Sequence, residues 1–239
     1  MNEANDTLGT PALAHAAIRP EACTLEGRWC RLRPLDPARD AAGLYQLSHT
    51  PQALAGWNYL PYGPFTDLAA FQTWMEANSR STDPLFFAIE VDAKIVGQAS
   101  LLRIAPEQRS VEVGHILYTP ALQRTCAATE AMYLLARHIF ETLGYRRYEW
   151  KCNALNAPSR EAALRYGFSF EGLFRQHMIV KGRNRDTAWY SMLDREWSVR
   201  KAAFEAWLSP DNFDAQGKQR VSLGVLHGQV SAEFPIATL

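Results

Sequence analysis

The residues best placed to do chemistry are Tyr118-Thr-Pro-Ala-Leu-Gln-Arg-Thr-Cys-Ala-Ala-Thr-Glu130. An apolar strand ends at Tyr118, Pro120 breaks it, and small residues open a long amphipathic helix. Free N–H groups at such a helix start converge on one point, backed by the positive end of the helix dipole. That arrangement suits a phosphate or pyrophosphate. Downstream, Asn156 and Ser159 read as capping groups for a short helix. His177, a lone strand histidine, is a base, a substrate contact or a structural ring. The four cysteines form no CxxC pair and the six histidines are scattered. Reduced, structural thiols and no metal are expected.

Bulk properties narrow the class. The chain has 239 residues, 47% apolar and 21% charged, with 25 basic and 25 acidic side chains. That length buries a full core, as one domain with extensions. A net charge of zero argues against a dedicated nucleic-acid binder. No apolar run is long enough to span a bilayer, and no secretory signal is legible. A cytoplasmic protein with no membrane partner is expected.

The positioning elements follow from periodicity. Residues 1–24 lack a sustained period and read as a flexible arm. Residues 28–34 alternate as a first strand, and Asp36-Pro37 starts a helix. The aromatic loop Trp57–Phe65 precedes a helix capped by Thr66 or Asp67. Residues 85–91 and 94–102 form a hairpin at Asp92-Ala93, and 110–118 form another strand. The long helix ends at Gly144. A strand at 147–152, a short helix at 157–166, and strands at 171–180 and 186–193 around a turn at Lys181–Arg185 complete a domain over 25–197. A C-terminal helix and tail occupy 198–239. The expected fold is α/β, a mixed, mostly antiparallel sheet with helices on both faces.

Several ordered motifs carry a family resemblance over roughly residues 27–197. They are Gln123 to Ala128, Thr129-Glu130-Ala131, Leu143 to Arg147, Asn156 to Ser159, Gly167-Phe168, Glu171-Gly172 and Asp186. Together they resemble the GNAT superfamily of N-acetyltransferases, nearest its ribosomal-protein N-terminal acetyltransferase (Rim-type) branch. The resemblance implies acetyl-CoA as acyl donor, held by Gln123, Arg124, Thr125, Cys126, Ala127, Ala128 and Thr129. Cys126 replaces the first glycine of the family's pyrophosphate loop. Backbone of Ile116, Leu117 and Tyr118 matches the strand that pairs with pantetheine, and Asn156 matches a residue near the thioester.

The same resemblance offers Glu112 as general base, or else a carboxylate pairing across the sheet. It offers Ser159 as a donor near the sulfur, or else a helix-cap hydroxyl. The tyrosine donor of many relatives is replaced by Ala163. The loop that forms the acceptor pocket in relatives supplies Trp57, Tyr59 and Tyr62, or else is a satellite aromatic cluster. His177 is a further substrate contact, and Arg175, Arg183 and Arg185 are groups to attract an acidic group on the acceptor, or else, for the last two, a solvated hairpin. By simple alternation Glu112 and His115 fall on opposite strand faces. The implied reaction moves an acetyl group to a primary amine of a small molecule or protein N-terminus by direct attack. A CoA-binding module without catalysis is the alternative, and a structural interaction protein a weaker third.

Overall fold

The computed structural model describes residues 15–228, together with Pro11. Eight strands form one sheet in the order β1-β2-β3-β4-β5-β6-β8-β7. The strands are β1 Leu25–Glu26, β2 Arg31–Pro34, β3 Leu85–Val91, β4 Lys94–Ala105, β5 Ser110–Tyr118, β6 Arg147–Asn153, β7 Ser169–Val180 and β8 Arg183–Leu193. Only β5 and β6 run parallel. The helices are α1 Pro37–Ser48, α2 Leu68–Ser79, α3 Cys126–Arg137, α4 Ala157–Arg165, α5 Asp194–Leu208 and α6 Leu223–Leu226. The expected mixed α/β sheet is thus observed, with two more elements, β1 and α6.

Local chemistry explains most boundaries. Asp36 caps α1 ahead of Pro37, and Asp67, not Thr66, caps α2 by accepting from the Ala70 N–H. Asp92-Ala93 and Lys181-Gly182 all have positive φ, the signature of two-residue type I′ turns. The second hairpin is therefore tighter than expected. Its strands extend to Val180 and from Arg183, so Arg185 lies inside β8 rather than in a solvated turn. The long helix changes to a π turn over His138–Thr142 before Gly144, at φ 73°, ends it.

Helices cover the sheet unequally. One face packs Val111, Val113, Tyr148, Trp150, Tyr190 and Met192 against α3, α4 and α5. The other face carries α1 and α2 over Phe86, Ala88, Ile95 and Leu117 only. The second half of the sheet is thus left with a helix-free face. The expected flexible arm is tied down where described: Ala17 is buried and donates to Pro106 O, and Ile18 donates to Leu143 O. Residues 1–10 and 12–14 lie outside the described residues, as do 229–239 of the tail. The described tail folds back, burying Leu223 and His227 against α5.

Candidate active site

The site begins where two strands part. β5 and β6 pair from Ser110/Arg147 to Val113/Trp150 and no further. Beyond Val113 the β5 edge has no ladder on that side, although Gly114, Leu117 and Tyr118 still pair with β4. An open strand edge offers N–H and C=O groups to an extended ligand. Leu117 is 2% exposed and the Tyr118 hydroxyl donates to Ala128 O, so these residues present backbone rather than side chains.

The edge leads into the turn before α3. Thr125 caps the helix, its hydroxyl accepting from the Ala128 N–H. Arg124 takes the left-handed conformation at φ 61°. The N–H groups of Arg124, Thr125, Cys126 and Ala127 meet no acceptor among the described residues. Four free donors at the head of a long helix are the groups an anion would need there. The special dihedral falls on Arg124, so Cys126 keeps helical geometry in the glycine's place. The Cys126 thiol is pushed up by burial and by Glu130, which keeps it protonated at neutral pH.

Four expected cofactor contacts need correction. Ala128 has 4% exposure, its side chain lies in the main core, and its N–H is spent on the cap. Ala127 also turns its methyl inward, leaving only its N–H. Thr129 is 1% exposed and its hydroxyl, accepting from Arg165 Nη1, is turned inward, away from a ligand at the helix head. Gln123 folds back instead, donating from Nε2 to Tyr118 O at 2.8 Å. Glu130, the motif's acidic residue, faces away from the loop. Its carboxylate accepts N–H groups from Arg28, Trp29 and Cys30 at 2.8, 2.6 and 2.9 Å, stapling the β1–β2 turn to α3.

Beside the parting strands, Asn156 accepts from the Ser159 N–H and so caps α4, leaving its amide nitrogen unengaged. Ser159 Oγ accepts from Trp150 Nε1 at 3.0 Å, which leaves its own proton to donate. The capping reading holds for Asn156 but not for Ser159, whose hydroxyl binds the Trp150 indole instead of a helix N–H. Ala163 is fully buried, and Tyr166 is buried with its hydroxyl on Ala128 O.

The helix-free face carries the charged groups. Glu112 Oε2 takes Arg103 Nη1 at 2.5 Å and Lys151 Nζ at 3.0 Å. Lys151 also pairs with Glu149 at 2.6 Å and sits 3.8 Å over the Trp189 ring. Burial pushes Glu149 up, but Lys151 and Arg147 outweigh it and hold it below the usual carboxylate range. The chain of charges ends at Arg147–Glu171. Glu112 therefore enters any proton transfer with both cations already on one oxygen.

A bulge changes the parity expected in β5. His115 has φ 50°, and the β4 register slips between Gln98 and Ser100. His115 consequently stacks on Tyr62, 5.4 Å between ring centroids and 14° between planes, and contacts Phe86. It shares the face of Glu112 rather than opposing it. Burial, and then Arg103, lower His115 to about 4, so its ring is neutral at pH 7. Nδ1 lies 3.2 Å from the Tyr62 hydroxyl, whose own acidity is suppressed by burial.

The acceptor loop is divided. Trp57 is fully buried, with Nε1 donating to Ser48 O, so it is a core anchor and not a substrate contact. Tyr59 is exposed and donates to Leu155 O, bridging the loop to the β6–α4 connection. Lys181 Nζ donates to Trp57 O at 2.8 Å, which ties the tip of the β7–β8 hairpin to the same loop. Arg175 is exposed on β7. His177 is exposed too, Nδ1 lying 3.0 Å from Thr187 Oγ1 and the ring beside Phe174 and Trp189. The structure thus places Tyr62, Glu112 and His115 on one face, with Lys151 and Arg103 as members the sequence reading missed. Lys151 was legible, since strict alternation in Arg147–Cys152 puts it on the face of Glu149. No group of three or more His, Cys, Asp or Glu able to hold a metal occurs among the described residues.

Comparison with known proteins agrees with this geometry. Residues 30–169 match the family model for the acetyltransferase (GNAT) domain. A GCN5-related N-acetyltransferase from Brucella melitensis is 45% identical, with a TM-score of 0.87 over 90% of this chain and 98% of its own. YdaF of Bacillus subtilis is 30% identical over 110 residues, 46% of this chain. The ribosomal-protein-serine acetyltransferase of Escherichia coli is 28% identical over 107 residues, 45% of this chain. These alignments span 60% and 59% of the two relatives' own lengths. More than half of the chain matches the family model, the nearly full-length structural likeness agrees, and the chain belongs to the GNAT acetyltransferase family.

Proposed function

We propose that the protein transfers an acetyl group from acetyl-CoA to a primary amine, on a small molecule or a protein N-terminus. The observation that carries this reading is the parting of β5 from β6 beside four free N–H groups at the head of α3. The fit is specific in kind: an unpaired strand edge suits an amide-bearing arm, and the helix head suits a pyrophosphate. Ile116, Leu117 and Tyr118 would hold the first, and Arg124, Thr125, Cys126 and Ala127 the second. When bound, acetyl-CoA supplies a thioester whose acyl carbon the amine nitrogen attacks, giving an N-acetyl amide and the free CoA thiol.

The chain's own residues position and move protons. Ser159 keeps a hydroxyl proton to give toward the departing sulfur, and Asn156 keeps an amide N–H beside it. Glu112, His115 and Tyr62 share one face, where the ammonium form of the acceptor must lose a proton. Tyr59 ties the loop to the β6–α4 connection and Lys181 ties it to the β7–β8 hairpin, which fixes the loop beside that face.

The two cations on Glu112 favour one competing reading, a CoA-binding module without turnover. Calorimetry with acetyl-CoA, followed by thiol release and product mass over an amine panel, separates the two. Tight binding with acetylated product supports transfer. Binding with no product from any amine supports the module, and no binding overturns both.

A further inference from the structure

On the helix-free face Arg185 is a half-buried cation that no carboxylate of the described residues pairs, whereas Arg175 and Arg183 are exposed to water. Arg103, Glu112, Lys151, Glu149, Arg147 and Glu171 alternate in sign and pair in sequence. Their formal charges cancel. Counted back along β8 from Thr187, Arg185 has the parity of the helix-free face, opposite to Ala188, Tyr190 and Met192 in the core; the register irregularity there lies on the β7 side. Arg185 is partly buried and close enough to feel Cys152, Glu112 and Arg103. Yet among the described residues it makes no ion pair or hydrogen bond, and its Nε is buried without an acceptor. Trp189 Nε1, two same-face positions further along β8 beyond Thr187, is also a buried donor without an acceptor.

Buried donors without partners are costly, and a desolvated guanidinium without a counter-ion more so. Burial lowers Arg185 from its usual range, the physical mark of that missing partner. An arginine on a mobile surface hairpin would relax into water. This one cannot, because Lys181 fixes the hairpin tip to the Trp57 carbonyl and Val180↔Arg183 to Met178↔Arg185 hold the strands in register.

We infer that Arg185 and Trp189 receive a carboxylate of the acceptor, so that the preferred amine is one standing near a carboxylate. This deepens, and rests on, the acetyl-transfer reading above. A carboxylate is acceptor-only, which is what two unmatched donors require. Its single charge matches that of the one half-buried guanidinium it would meet. A guanidinium also meets a carboxylate in the two-pronged geometry that fixes orientation, and so would aim the neighbouring amine. Two sources share this chemistry: the α-carboxylate of a free amino acid, and the side chain of an N-terminal Asp or Glu in a peptide.

The test uses matched acceptors. Free amino acids are compared with their carboxamides, and tetrapeptides beginning with Asp or Glu with those beginning with Asn or Gln. The full-length protein should prefer the carboxylate member of one series by about tenfold or more in kcat/KM, mainly through KM. The series showing the preference identifies the source. Arg185→Gln should erase the preference, Arg185→Lys should keep part of it, and acetyl-CoA affinity should stay unchanged in both. Equal rates for both members in the unaltered protein overturn the inference, as does an Arg185→Gln loss that falls equally on both members or on acetyl-CoA affinity. Those results leave acetyl transfer standing. Acetyl-CoA binding with no product from any acceptor instead overturns transfer itself, and this inference with it. Should Arg185→Gln not fold, the preference of the unaltered protein decides alone.

Discussion

Removing the Glu130 charge tests whether this motif residue is a structural staple rather than a cofactor ligand. The side chain belongs to a residue only 5% exposed. Oε1 accepts from Arg28 N, and Oε2 accepts from both Trp29 N and Cys30 N. Glu130→Gln keeps the shape but turns one oxygen into an NH₂ group. With the amide oxygen at the Oε2 position, two bonds survive as neutral ones and the Arg28 N–H faces a donor. Each charge-assisted bond weakened to a neutral one loses about 1 kcal/mol, and a buried donor left unmatched costs about 1–3 kcal/mol. Arg28 and Trp29 are solvent-exposed enough for water to recover part of this. The expected loss is about 3 kcal/mol, or about 1.5 M in urea midpoint for a slope of about 2 kcal/mol per M. Acetyl-CoA affinity at low temperature should hardly change, because the carboxylate faces the β1–β2 turn and not the loop. A midpoint shift under about 0.3 M in a two-state transition would refute the staple. A large affinity loss without a stability loss would return Glu130 to the cofactor site. Gly27→Ala probes the same contact from the other side, since its added Cβ would lie 2.4 Å from Glu130 Oε2.

Three further outcomes are expected. Cys126→Gly should leave acetyl-CoA affinity equal or improved at a stability cost of about 1 kcal/mol or less, measured by calorimetry and melting, because the residue contributes an N–H and its raised thiol is unreactive. Loss of turnover with affinity intact would instead indicate a covalent role. Glu112→Gln should lower turnover by about 10²–10⁴-fold if the carboxylate takes the amine proton, and should flatten the acidic limb of the pH–rate profile; an unchanged limb would leave Glu112 as the anchor of Arg103 and Lys151. Burial, then Arg200 and Arg165, lower His227 to about 4 from an ordinary value of 6.5. The unfolded chain therefore binds the proton first, and stability must fall as pH drops from about 6.5 to 4, by up to about 3 kcal/mol from this residue. His227→Phe should make the melting temperature less sensitive across that window, and an unchanged acid slope would contradict the assignment.

Local and periodic features were decided by the sequence itself. Asp36-Pro37, the Asp92-Ala93 turn and Gly144 place element ends through capping and dihedral preferences that need no distant partner. Alternation in Arg147–Cys152 likewise sets an inner face, whereas α3, expected to bury one stripe, is buried all round from Ala127 to Ala136. The free N–H groups at Arg124 to Ala127 were legible because a helix start always leaves them. What the tertiary structure decided is where a long-range contact overrides a local rule. The bulge at His115 exists only against β4, and it moves the ring onto the face of Glu112. Trp57 is a core anchor because α1 and α2 close over it. Glu130 turns from the loop because a turn 100 residues upstream offers it three donors. Arg185 is left without a partner because Lys181 fastens the hairpin to a loop more than a hundred residues earlier. Spacing reads periodic faces one element at a time, whereas charge pairing and burial across a sheet are set by which strands become neighbours.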